Sequence, residues 1–228
     1  MSTDRPKLLG DATAVAVRMK ELRAPHIAPL TSFVEDLRAE AGPGAEVPYF
    51  DPWDGGVEAT TLFLLEAPGA KAVHSGFVSR NNPDETAKNF FELNVEAGIN
   101  RKRTVIWNAV PWYIGNGRKI RAATPKDLTD GLKPLPRLLA LLPNLREIVL
   151  VGRKAEKAAA QLDRSSYAVF TCPHPSPMFV NHAPGNRGKI LAVLRQLVVQ
   201  QRVPADGLAS PRLASLGSPR LSAAVRHH

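Results

Sequence analysis

The chain has 228 residues, 44% hydrophobic and 22% charged, which is enough for one sizeable core and unlike a disordered composition. Its formal net charge of +9 favours polyanionic partners, and the single cysteine, Cys172, excludes a disulfide framework and a metal cluster held by several thiolates. No apolar run reaches the roughly 18 residues of a membrane span, and the N-terminus lacks the apolar core of a signal peptide. The expectation is therefore a soluble cytoplasmic protein with no membrane partner.

In chain order, Ile27, Leu30, Phe33, Val34 and Leu37 recur at helical spacing, and Gly42-Pro43-Gly44 stops that helix. Val47 to Gly56 reads as a loop leading into a first strand, Ala59 to Leu65. A second loop, Glu66 to Asn82, precedes a helix with Pro83, Asp84 and Glu85 at its start, where the positive end of the helix dipole favours acids. That helix stops at Gly98. Thr104 to Trp107 is a second strand, followed by a polar, basic loop from Asn108 to Ala123. Thr124-Pro125 opens a long leucine-striped helix in which Pro134 and Pro136 predict a kink or break. Glu147 to Val151 is a third strand, Gly152 to Leu162 a helix, Tyr167 to Thr171 a fourth strand and Gly188 to Gln201 the last helix.

Continuous apolar strands alternating with helices predict an α/β fold, a three-layer α/β/α sandwich around a mainly parallel four-stranded sheet. One domain is expected over residues 1–202, with an N-terminal helical segment to about residue 56. Residues 203–228 repeat Ser-Pro-Arg-Leu and read as a disordered basic tail. That tail holds Arg212, Arg220 and Arg226 against Asp206, a net of +2 that leaves +7 on the folded body.

Ligands of open parallel sheets bind at the carboxyl ends of the strands. Three unusual segments stand there: Glu66-Ala67-Pro68-Gly69-Ala70 after the first strand, Asn108-Ala109-Val110-Pro111 after the second, and His174-Pro175-Ser176-Pro177 after the fourth. Ala-Pro-Gly alone is a common turn, and Asn at a strand end is often a turn former. A histidine fixed between prolines is less ordinary, because its side chain can donate or accept near neutral pH.

Together these segments resemble the uracil-DNA glycosylase superfamily, over about Thr60 to Val199. LEAPGA is similar to the first motif of the iron–sulfur (family 4) branch. The stretch from Ser75 to Ile99 is similar to the segment that follows it, with Phe77 at the position of the base-stacking aromatic. VIWNAVPW is similar to the motif whose asparagine reads the base, and HPSP is the form found in the highly active branch. The cluster-holding cysteines of the iron–sulfur branch are absent here, so no cofactor and no metal are expected. The water-positioning aspartate of the active branch is replaced by Ala67. The long basic insertion of the branch that crosslinks to abasic DNA is not evident either.

The resemblance implies a base-excision repair hydrolase that flips uracil out of DNA and breaks its N-glycosidic bond. Uracil-containing DNA is the expected partner, with no obligate protein partner, a monomeric state and a nucleoid-associated location in a bacterium. Asn108 would read the uracil edge, since its amide complements O4 and N3–H and mismatches the amino group of cytosine. Phe77 would stack on the ring, and the Ala67-Pro68-Gly69 backbone would position it. His174 would donate to O2 as negative charge collects there. For the attacking water the candidates are Glu66, first, then His74, Asn82 and Asp84. Ser176, Met178 and Phe179 would face DNA, the last two as apolar wedges. Arg118, Lys119, Arg121, Lys126, Arg187 and Lys189 are the expected phosphate contacts. Two alternatives stand beside this reading: a catalytically weak protein that binds uracil or abasic sites, for which Ala67 speaks, and a glycosylase for another deaminated base. A small-molecule nucleotide-binding protein is disfavoured, because no glycine-rich phosphate loop is present.

Overall fold

The N-terminal third of the chain folds back on itself before the central sheet begins. In this computed structural model, which describes residues 3–42, 44–116 and 120–202, α1 (Ala12–Lys20) starts at Asp11, whose side chain accepts from the Thr13 amide. Next come α2 (Ala28–Ala41), the two-residue strand β1 (Tyr49–Phe50) and a 3-10 turn at Gly56–Glu58. Strand β2 (Thr61–Leu65) follows, then α3 (Ala70–Ser75), the two-residue strand β3 (Phe77–Val78) and α4 (Glu85–Ala97). After β4 (Thr104–Asn108) come α5 (Pro125–Gly131), α6 (Leu135–Ala140) and β5 (Glu147–Val151). A 3-10 segment (Ala155–Gln161), β6 (Ala168–Cys172), α7 (Pro177–Val180) and α8 (Asn186–Arg202) complete the body. The tail expected at 203–228 lies outside the described residues. Among those residues, no helix is long and apolar enough to cross a membrane.

The main sheet has the order β4-β2-β5-β6, and every neighbouring pair is parallel. It is the expected three-layer α/β/α sandwich. Register explains the layers. Leu64 pairs with Trp107, and Phe63 with Ile106, so the first pair faces one side and the second pair the other. On the first side Trp107 stacks on Phe50 at 4.0 Å and meets Phe33 of α2 edge-on at 6.0 Å. Arg137 of α6 lies 5.7 Å from the Phe33 ring and pairs with Glu40, which places α6 beside α2. On the second side Phe63 meets Phe90 of α4 at 5.0 Å, and α4 packs against α8. Such aromatic pairs add about 0.5–1.5 kcal/mol each beyond their buried area.

Four short elements differ from the sequence expectation. The loops predicted at 47–56 and 66–82 contain β1, β3 and α3, which are too short for any periodicity to announce them. The leucine-striped helix breaks in two where its prolines predict: Thr124 and Asp127 form a capping box on α5, and Pro134 and Pro136 supply the start of α6, where a missing N–H costs nothing. The helix predicted at 152–162 is a 3-10 segment.

Candidate active site

Because the register is parallel, the ends of β2 and β4 bring Leu65 beside Asn108 on the α4 side of the sheet. There they border a cavity of about 670 Å³. Its walls are the Glu66–Ala72 turn, Val78 to Arg80, Asn82, Asp84, Phe90 and Ile106, with Ile120, Arg121 and Ala122 from the basic loop and His174 from the loop after β6. The three motif segments thus meet in one place, as their positions at strand ends predict.

Asn108 is 3% exposed, and its Nδ2 has no hydrogen-bond partner among the described residues. A buried amide left unpaired costs about 1–3 kcal/mol, and native folds rarely retain one without a reason. His174 is held from two sides. Asn89 of α4 donates to the Pro175 carbonyl at 3.0 Å, and Gly152, at φ +85°, lies so close that a Cβ there would stand 3.1 Å from His174 Cβ. Burial lowers the His174 pKa below its ordinary 6.5, while the carboxylates of Glu66 and Asp84 act in the opposite direction. The ring is therefore neutral at pH 7 and has one N–H to donate.

Of the water candidates, Glu66 anchors the basic loop: its Oε1 accepts from the Ala123 amide at 2.6 Å. Its other oxygen has no bond among the described residues. Asn82 lines the cavity, yet its amide already bonds Ser75 Oγ at 2.7 Å and the Phe77 carbonyl at 2.9 Å, so it is committed to holding the wall. Asp84 lines the cavity and caps α4, accepting from Ala87 at 2.9 Å; burial raises its pKa. His74 is exposed on α3 and takes no part in the cavity.

Phe77 is a correction. It is fully buried and forms no part of the cavity wall, because adjacent strand residues face opposite ways and its neighbour Val78 faces the cavity. The aromatic residue in the wall is Phe90 of α4, which was not among the site residues expected from the sequence. Beyond His174, the Ser176 hydroxyl caps α7 by accepting from the Phe179 amide at 3.3 Å. Met178 is 83% exposed, whereas Phe179 is half-buried and packs against the core.

The expected phosphate contacts are mostly engaged within the protein. Arg121 pairs with Asp127, Lys126 with Asp130, and Arg187 with Glu96, while Lys189 bonds Asn186. Arg118 and Lys119 lie outside the described residues. Among the described residues no cluster of three or more His, Cys, Asp or Glu side chains is arranged to hold a metal.

Sequence reasoning also missed a buried ion network behind the cavity. Arg101 bonds Asp4, Asp51, Asp54 and Asn81; Arg18 bonds Asp51 and lies 3.6 Å from the Trp53 ring; Ser79 donates to Asp51, and Arg80 bonds Thr104 at 2.6 Å. Arg80 belongs both to this network and to the cavity wall. Nothing in the spacing of these residues along the chain announces that they meet.

A family model for the uracil DNA glycosylase superfamily matches residues 52–197. Among solved structures, the chain is similar to the solution NMR structure of a candidate uracil DNA glycosylase from Methanosarcina acetivorans, with 18% identity, a TM-score of 0.42, and coverage of 62% of this chain and 92% of that one. It is also similar to the crystal structure of a mimivirus UNG variant in complex with UGI, with 14% identity, a TM-score of 0.35, and coverage of 78% and 72%. No curated protein matches the chain.

Proposed function

Because the chain belongs to the uracil DNA glycosylase superfamily, we propose that it flips uracil out of DNA and hydrolyses the N-glycosidic bond, leaving an abasic site. The unpartnered Asn108 amide at the foot of the cavity carries this reading. A carbonyl of the flipped base, O4 of uracil, gives Nδ2 the acceptor that the protein withholds, and the amide oxygen takes N3–H. Cytosine presents an amino group at the same point, which leaves two donors face to face.

As the C1′–N1 bond breaks, its electron pair passes to the base and the sugar becomes cationic. The neutral His174 ring donates its N–H to the charge growing on O2, a contact that strengthens only in the transition state. Water then bonds C1′ and loses a proton. Glu66 is the carboxylate for that step, with one oxygen tied to Ala123 and the other available to the water. Asp84 adds negative charge to the same wall, opposite the cationic sugar. The Ala67-Pro68-Gly69 turn and Phe90 enclose the ring. Met178 enters the base stack from outside, and Ser176 and Arg121 face the backbone, Arg121 after exchanging Asp127 for phosphate.

The test is release of free uracil from a labelled oligonucleotide. The parent releases it, and Asn108→Ala and His174→Ala each lose about 10²–10³-fold in kcat. One observation favours a second reading: Ala67 lines the cavity without a carboxylate. Tight binding of uracil-containing DNA with no base released by the parent would turn the assignment to a binding protein.

A further inference from the structure

The basic loop crosses the end of the sheet and is fastened there by charges from both sides. In the strand order β4-β2-β5, β2 lies between the other two. The loop leaves β4 at Asn108 and reaches the N-cap of α5 at Thr124. Just before that point both main-chain polar groups of Ala123 are bonded to ions. Its N–H donates to Glu66 Oε1, from the loop after β2, at 2.6 Å; its carbonyl accepts from Lys154 Nζ, from the loop after β5, at 2.6 Å. Ala123 is 1% exposed, and both bonds are partly buried because Glu66 and Lys154 are half-exposed. The residues immediately before it, Ile120, Arg121 and Ala122, are cavity wall.

We propose that Lys154 is a positioning residue for the cavity: together with Glu66 it clamps Ala123, which fixes the Ile120–Ala122 wall and the orientation of the Glu66 carboxylate at once. The consequence for catalysis rests on the glycosylase reading above, whereas the clamp itself does not. Bonds with an ionised partner are roughly twice as strong as neutral ones, and here a carboxylate and an ammonium act on a single residue. Without the ammonium the Ala123 carbonyl is buried and unpaired, so the loop end opens locally and Glu66 loses a fixed donor.

The experiment compares Lys154→Met and Lys154→Arg in the full chain, by hydrogen exchange of the free protein and by kinetics of uracil release. In Lys154→Met the Ala123 amide exchanges about tenfold or more faster, while protection of β2, β4 and β5 is unchanged. Its kcat/KM falls about tenfold, and Lys154→Arg, which keeps a cation, recovers both properties. Unchanged exchange at Ala123, a loss of protection spread evenly over the sheet, or local loosening with full kcat/KM would each overturn the proposal. Should the parent release no uracil, the functional reading falls, and the exchange contrast between the two variants still decides whether the clamp exists.

Discussion

Two regions of this molecule bury polar groups, and they treat them in opposite ways. In the ion network Arg18, Asp51, Asp54 and Arg101 are 13% exposed or less, and each is tied to an opposite charge. Single atoms there lack a partner, among them Arg18 Nε and Asp54 Oδ2, but each belongs to a group bonded through its other atoms. At the cavity the Asn108 amide nitrogen has no bond among the described residues, and His174 is half-buried with its ring neutral. Where charges are buried for architecture, the fold must pair them, since an unpaired ion costs several kcal/mol. Where a donor is left open beside an empty volume, the proposed function gives it a partner from outside. Pairing in one region and its absence in the other thus separate scaffold from site.

The largest effect that can break this contrast is on stability. Arg101→Met leaves Asp51 paired with Arg18 alone and Asp54 with Arg80 alone, at 3.6 Å, and urea unfolding should show a loss of up to about 3–5 kcal/mol. Asn108→Ala, measured in the same way, should leave stability unchanged or raise it, because the unpaired donor leaves with the side chain. A comparable loss in both variants would end the distinction. Gly152→Ala sharpens it at the border of the site. The substitution forces a left-handed φ on alanine, at about 1–2 kcal/mol, and presses on His174, so kcat should fall further than the folded population does. Equal losses in kcat and in folded fraction would mean that Gly152 does not set the ring's place.

The smallest effect is in pH. His174 in the folded protein titrates below its ordinary 6.5, so the unfolded chain takes up the proton first as pH falls. The stability that depends on a neutral ring is complete above about pH 6.5 and is lost as pH drops toward the folded value. Melting curves between about pH 7 and pH 5.5 should therefore decline more steeply for the parent than for His174→Asn. Superimposable curves would show that burial of the neutral ring carries no linkage.

Some of this was legible from the residues alone. Strands β2, β4 and β5 are continuous apolar runs because both of their faces are covered, and such runs need no partner to be recognised. The parallel layering follows from their alternation with helices, and it puts Glu66, Asn108 and His174 at one edge of the sheet. Pro-His-Pro and Asn at a strand end are local statements, and local statements survive translation into sequence. Phe77 shows where this stops. Its side of a two-residue strand is decided by pairing with Tyr49 of β1, far away in the chain, and the same pairing turns Val78 toward the cavity.

The sequence by itself determined the parallel sheet and the motif loops at its strand ends, with Asn108 and His174 in them, because those depend on periodicity and backbone stiffness along the chain. Only the tertiary structure decided that Phe90 is the aromatic wall, that Arg121, Lys126 and Arg187 are already paired, that Arg101 gathers three carboxylates, and that Glu66 and Lys154 meet at Ala123. Each of these is a contact between residues distant in sequence. Its energy depends on distance and burial, which no spacing along one chain specifies.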